Sequence, residues 1–126
     1  MHENEISQIA VDAAVKVHSE LGPGLLEFVY EVVLSYELAK RGLHIERQVS
    51  VPISYDGVKF EEGFRADIII EGKVILEIKA IEKILPVHRK QLLTYLKLTG
   101  LKLGLILNFN AALMKDGIFR SANGLE

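Results

Sequence analysis

The chain has 126 residues, 49% apolar and 25% charged, which is enough to bury one core of ordinary size and too short for a second domain. With no cysteine there is no disulfide framework, thiolate nucleophile, Cys-bound zinc or iron–sulfur cluster, and a reducing cytoplasm is the expected address. No apolar run is long enough to span a bilayer, and Met1-His2-Glu3-Asn4-Glu5 is acidic where a secretory signal is basic, so neither spanning nor export is expected.

Ile6, Ile9, Ala10, Ala13, Val17 and Leu21 recur at helical spacing, predicting an amphipathic helix over 5–21 with Asn4 as N-cap and Gly22-Pro23 as its stop. A second helix is predicted from about Leu25 to Arg41, closed by a cationic last turn and Gly42. Its apolar residues surround most of the circumference, so it is expected to be central and buried on more than one side. From Ile45 the period becomes two, giving a strand to Tyr55 with one wet face. Pro52 sends that strand to the sheet edge, and Asp56-Gly57 is a type I′ hairpin signal returning through Val58 and Phe60. Phe64 to Ile70 and Lys73 to Ala80 read as a second, central hairpin turning around Glu71-Gly72, apolar enough to be covered on both faces.

Pro86 suits the first position of a helix that runs to about Thr99 and ends at Gly100. Leu101 to Phe109 is a returning strand, and residues 110–126 carry little signal. The closing Leu125-Glu126 is of the kind that cloning leaves behind and carries no argument. These elements predict one α/β layered domain over residues 1–126, with helices flanking a mixed sheet.

Charge is distributed unevenly. Residues 1–63 hold five Lys/Arg against eleven Asp/Glu, net −6, while 64–126 hold ten against six, net +4. A polyanion is expected to meet the second half, unless the halves simply attract each other across the fold.

Three charges sit in strands that otherwise want burial: Asp67 and, after nine intervening residues, Glu77-Ile78-Lys79. The strand period puts Glu77 and Lys79 on one face with Ile75. A three-residue turn with Gly72 left-handed adds Asp67 to that face, whereas a two-residue turn sends it to the other and forces Glu71 to positive φ, so the three-residue turn is expected. Two converging carboxylates offer hard oxygen ligands to Mg²⁺ or Mn²⁺, and a lysine beside them can hold a water and screen charge on a reacting phosphate. The bland reading of these residues is a cross-strand ion-pair cluster on a solvated face.

On the helix after Pro86, His88, Gln91 and Tyr95 form a polar strip beside a leucine wall, placed to donate to phosphate oxygens or to steady the lysine. Tyr95 as core, Gln91 as a capping partner and His88 as a surface residue are the plainer alternatives. In Gly24-Leu25-Leu26-Glu27-Phe28-Val29-Tyr30, Glu27 is ringed by apolar neighbours and Tyr30 lies one turn on, on the same side. A third metal-facing carboxylate would justify Glu27, and so would first-turn capping in solvent.

Together these phrases, with Arg65-Ala66-Asp67, Gln91-Leu92-Leu93-Thr94-Tyr95-Leu96 and Leu107-Asn108-Phe109-Asn110, resemble the PD-(D/E)XK nuclease superfamily over about Ile6 to Phe119. Within it they resemble the small GxxExxY proteins, through Gly24, Glu27 and Tyr30. Ala66 stands where the superfamily name has proline. The resemblance implies a restriction-endonuclease-like three-layer α/β/α sandwich, with a mixed sheet of about four strands plus an edge hairpin. It also implies Mg²⁺- or Mn²⁺-dependent phosphodiester hydrolysis. Asp67 and Glu77 would be ligands joined by the Ile78 carbonyl, Lys79 would stand at the water, Glu27 would be the helical acid, and Gln91 and Tyr95 the adjoining helix motif.

The expected partner is nucleic acid, DNA before RNA, with a second copy of the chain as a further candidate and no membrane. A non-catalytic module for nucleic-acid or protein binding, and a metal hydrolase acting on nucleotides, are the competing functions.

Overall fold

The computed structural model describes residues 1–126 as three helices and a five-stranded sheet: α1 (Glu3–Leu21), α2 (Glu27–Lys40), β1 (Ile45–Tyr55), β2 (Val58–Ile70), β3 (Val74–Lys79), α3 (Pro86–Thr99), β4 (Leu103–Asn108) and β5 (Ile118–Ala122). The strands lie in chain order across the sheet. All neighbours are antiparallel except β3 and β4, which run parallel because α3 carries the chain from one to the other.

Helices cover both faces. Ile6, Ala10, Ala13 and Val17 of α1 and Tyr30, Leu34 and Leu38 of α2 bury the face that carries Ile68, Leu76, Ile78 and Leu105. On the other face a smaller core sets Leu92 and Leu96 of α3 on Ala66, Ile75 and Ile106. There α3 lies so close to β4 that a Cβ at Gly104 would come within 2.7 Å of Leu92. β3 and β4 are buried along almost their whole length, the condition their uninterrupted apolar runs demand. No helix is long and apolar enough to cross a membrane.

The predicted restriction-endonuclease-like layering is present, and several local expectations need correction. His2, not Asn4, caps α1: its Nδ1 accepts the Asn4 N–H at 2.9 Å while Glu5 reaches back to the His2 N–H at 3.1 Å, closing a capping box. The two stretches read as a returning strand and a separate central strand are one 13-residue strand, β2, which pairs with β1 over its length and with β3 only at its end. Residues 110–126 hold a short 3₁₀ turn (Met114–Gly117) and the fifth strand, and Leu125 packs against the larger core. α2 is not wrapped by apolar neighbours, because Phe28, Val32 and Tyr36 lie in solvent. The Asp56-Gly57 turn has both residues at positive φ, as a type I′ hairpin requires, and the β1 register slips at Pro52. At the second hairpin Glu71 does adopt positive φ (54°), beside Gly72 (62°). Lys73 is then left over, so the ladder starts at Ile70 opposite Val74.

Candidate active site

That register decides where the acids go. The β2–β3 ladder ends at Ile68 opposite Leu76, so the next positions, Asp67 and Glu77, face each other across the point where the strands part. The Asp67 carboxylate fills the gap: Oδ2 accepts the backbone N–H of Ile78 at 2.8 Å in place of a strand partner. Glu77 is 7% exposed, its Oε1 has no hydrogen-bond partner, and its carboxyl lies against that of Asp67.

Burial, followed by the nearby Asp67 charge, pushes the Glu77 carboxyl up to about 9. Burial also raises Asp67, against the Ile78 N–H that favours its anion, with Glu31 adding to the rise. The Lys79 charge favours the anionic form of both acids. Two carboxylates this close and this dry cannot both stay ionised without a cation between or beside them.

Tyr95 of α3 stands over the pair. Its ring stacks on Phe64 at 3.7 Å and 4°, and burial and then the charges of Glu77 and Asp67 raise the phenol, keeping it a hydrogen-bond donor. Gln91 is exposed one turn earlier on α3. His88 is engaged at the start of that helix, its Nδ1 accepting the Leu85 N–H at 2.9 Å.

On the other side of Asp67 a cleft of about 490 Å³ is lined by Glu27, Phe28, Glu31, Gln48, Asp67 and Ile78. A larger cleft of about 560 Å³, between the end of α1 and the 3₁₀ turn, is lined by Val15, His18, Pro23 and Leu113 among others and holds none of these acids. Chemistry, not size, singles out the first.

Glu27 enters this cleft from the first turn of α2, Oε2 accepting the Ala80 N–H at 3.2 Å just beyond β3. The local reason lies in the G-x-x-E-x-x-Y spacing. Gly24 has φ 105°, and the Tyr30 hydroxyl donates to the Gly22 carbonyl at 2.6 Å while accepting the Leu25 N–H at 3.1 Å, pinning the turn that starts the helix. Tyr30 itself is wholly buried, stacked on Phe109 at 4.5 Å, so it aims Glu27 from within the core and does not share its exposed side. Tyr30→Phe should cost about 1–3 kcal/mol by leaving that carbonyl and N–H unpaired. Urea unfolding measures this, and a midpoint unchanged from wild type would show that the turn holds without the phenol.

Two cleft residues escape sequence reasoning. Glu31 is buried and fully paired: Arg47 donates to its Oε2 at 2.7 and 3.1 Å, and Gln48 to its Oε1 at 2.7 Å. Neighbours on a strand normally point to opposite faces, and here the positive φ of Gln48 (51°) brings both side chains to one acid. Glu31 had a signal, an acid one turn beyond Glu27 in an apolar helix. Gln48 had none, since nothing in its identity announces a left-handed backbone.

Asn108 holds the exit of β3, donating to the Ile81 carbonyl at 2.9 Å and accepting the Ile81 N–H at 3.1 Å. A family model described as the PD-(D/E)XK nuclease superfamily matches residues 4–121. The chain belongs to this nuclease superfamily. No curated protein and no solved structure matches it.

In this PD-(D/E)XK chain the charges of Glu77 and Asp67 both act on Tyr95. No three His, Asp or Glu side chains lie close enough to enclose a cation by themselves. The donor set present (Asp67, the orphaned Glu77 oxygen, the Ile78 carbonyl, and Glu27 across the cleft) therefore suits a hard ion that keeps several waters, as Mg²⁺ and Mn²⁺ do.

Proposed function

We propose that this chain is a divalent-metal-dependent nuclease of the GxxExxY kind, hydrolysing phosphodiester bonds, with DNA as the substrate, in the cytoplasm. The observation that carries the reading is the pair of half-buried Asp67 and buried Glu77, with an unpartnered Glu77 carboxylate oxygen, near the Lys79 charge where β2 and β3 part. Asp67, Glu77 and the Ile78 carbonyl would hold the cation, with Glu27 reaching it from across the cleft through water. Bound there, the ion supplies Lewis-acid polarisation of a phosphoryl oxygen and a more acidic water.

The chain's own residues do the rest. The Lys79 Nζ orients the attacking water by accepting no proton and donating hydrogen bonds, and it offsets negative charge growing on the phosphoryl oxygens. The Tyr95 hydroxyl and the Gln91 amide donate to non-bridging oxygens, fixing the phosphate for attack on the side away from the leaving oxygen. One P–O bond to water forms as that water releases a proton to solvent, the P–O bond to the leaving oxygen breaks, and that oxygen takes up a proton from solvent. Exposed Lys83, Arg89, Lys90 and Lys97, on or just before α3, supply cations for a polyanionic backbone on the Tyr95 side of the sheet.

Incubating single- and double-stranded DNA with wild type and Asp67→Asn, with Mn²⁺ or with chelator, tests the reading. Metal-dependent cleavage confined to wild type is the expected result. Equal cutting by both proteins marks a contaminant, and no cutting with retained DNA binding leaves a nuclease-fold module that grips without hydrolysing. Calorimetric titration with Mn²⁺ should show binding to wild type that Asp67→Asn loses.

A further inference from the structure

The solvent face of α2 has no assigned role. Phe28, Val32 and Tyr36, at 69%, 38% and 69% exposure, follow one another at four-residue intervals and so form one stripe along the helix. Exposed Ala39 extends the stripe three residues beyond Tyr36, and Leu25, also exposed, stands three residues before Phe28, just outside the first turn. The spacing 3-4-4-3 reads the same in both directions, with the smallest exposed side chain of the helical triplet, Val32, at its centre and an aromatic on each side.

From this we infer that the chain forms a twofold dimer through an antiparallel α2–α2 seam with Val32 on the axis. A twofold interface must be self-complementary, residue i meeting j while j meets i. Antiparallel pairing about Val32 satisfies this at every step: Phe28 meets Tyr36 of the second copy, Leu25 meets Ala39, and Val32 meets itself at the closest approach. The helix dipoles then run opposed, each positive end beside the other's negative end. Positions 28, 32, 36 and 39 hold no charge, so no like charges meet across the axis.

Size is consistent with this occupant. Taking ~200 Å² for a fully exposed large side chain, the stripe presents about 450 Å² per copy. Paired, and with the flanking stems of Leu26, Lys40 and Arg47, it reaches the ~1,000 Å² at which specific interfaces begin.

The seam also borders the cleft that holds Glu27 and Asp67. Phe28 lines that cleft, with the Arg47 guanidinium 6.0 Å from its ring centroid. Pairing therefore covers the outer side of Phe28 and sets the two clefts of a dimer on either side of the axis. The inference does not depend on the reaction, and its test reads association alone.

Sedimentation equilibrium at concentrations up to ~100 µM, where an interface this small is expected to associate, should show a wild-type dimer. Val32→Glu and Val32→Lys should each dissociate at least tenfold more readily, because like charges meet on the axis, and an equimolar mixture of the two should recover the dimer. The chain has no cysteine, so Val32→Cys adds a lone thiol. Under mild oxidant it should cross-link to itself, while Val58→Cys on the exposed hairpin should not. A monomeric wild type, Val32 variants that associate like wild type, a mixture that stays monomeric, or cross-linking that is equal at both positions would each overturn the inference.

Discussion

Lys79→Ala should cleave DNA at least about 100-fold more slowly than wild type in saturating Mn²⁺ while keeping its fold and its affinity for the ion. Removing one preorganised charge from a developing phosphoryl transition state is worth about 10²–10³ in rate. Lys79 is the last residue of β3, held in register with β4 opposite Asn108, and its carbonyl accepts the Phe109 N–H at 2.9 Å. Trimming its side chain therefore disturbs neither core nor ladder. The lysine also favours the anionic forms of Asp67 and Glu77, so its loss should move the acidic limb of the pH–rate profile to higher pH. A positively charged residue needed only for DNA affinity would raise KM and leave that limb in place. Single-turnover cleavage across pH separates the two, and a rate within a few-fold of wild type would remove Lys79 from the chemistry.

Glu77→Gln is expected to abolish cleavage and, at pH 8 without divalent metal, to make the protein more stable than wild type. The folded-state value of Glu77, about 9, lies above its unfolded 4.5, so between those limits the folded chain holds a proton that the unfolded chain has released. Stability must then fall as pH rises through that window. Asp67 is raised as well and adds in the same direction.

The full shift is a ceiling, because water and local relaxation take part of it, and the loss between pH 5 and pH 8 is put at roughly 2–3 kcal/mol. Glutamine keeps the shape and a hydrogen bond toward Asp67 without the charge, so Tm at pH 8 should rise by about 6–12 °C for a domain of this size. Millimolar Mg²⁺ or Mn²⁺ should narrow the gap by stabilising wild type and not the variant. Scanning calorimetry at both pH values checks each sign. A wild type more stable at pH 8 than at pH 5, or a variant less stable than wild type at pH 8, would show that the acids are not a frustrated pair.

Much of this was legible in the residues because it depends on periodicity and on covalent limits of the backbone. Proline at the first turn and Gly100 at the end bracket α3. Asp56-Gly57 forces a hairpin, Pro52 marks an edge strand, and the apolar runs of β3 and β4 demand cover on both faces, which in one domain means helices. Asp67, Glu77 and Lys79 were visible as charges in places that expect none.

What three-dimensional packing alone settled depends on contacts between segments distant in the chain. Glu71 takes an unfavourable backbone angle because the buried registers on both sides of the turn outweigh a local strain of about 1 kcal/mol. Gln48 does the same because two donors to a buried Glu31 offset it. Tyr30 shares a motif with Glu27 but acts from within the core: wholly buried, it pins through its hydroxyl the turn that starts α2. α2 reads as buried because hydropathy counts apolar residues without knowing how many faces the fold can cover. Two of its sides meet the core, and the third is left to solvent or to a partner. Identity and spacing constrain what each segment can become by itself, whereas which carboxylate faces which, and which surface stays open, follow only from where the sheet places its strands.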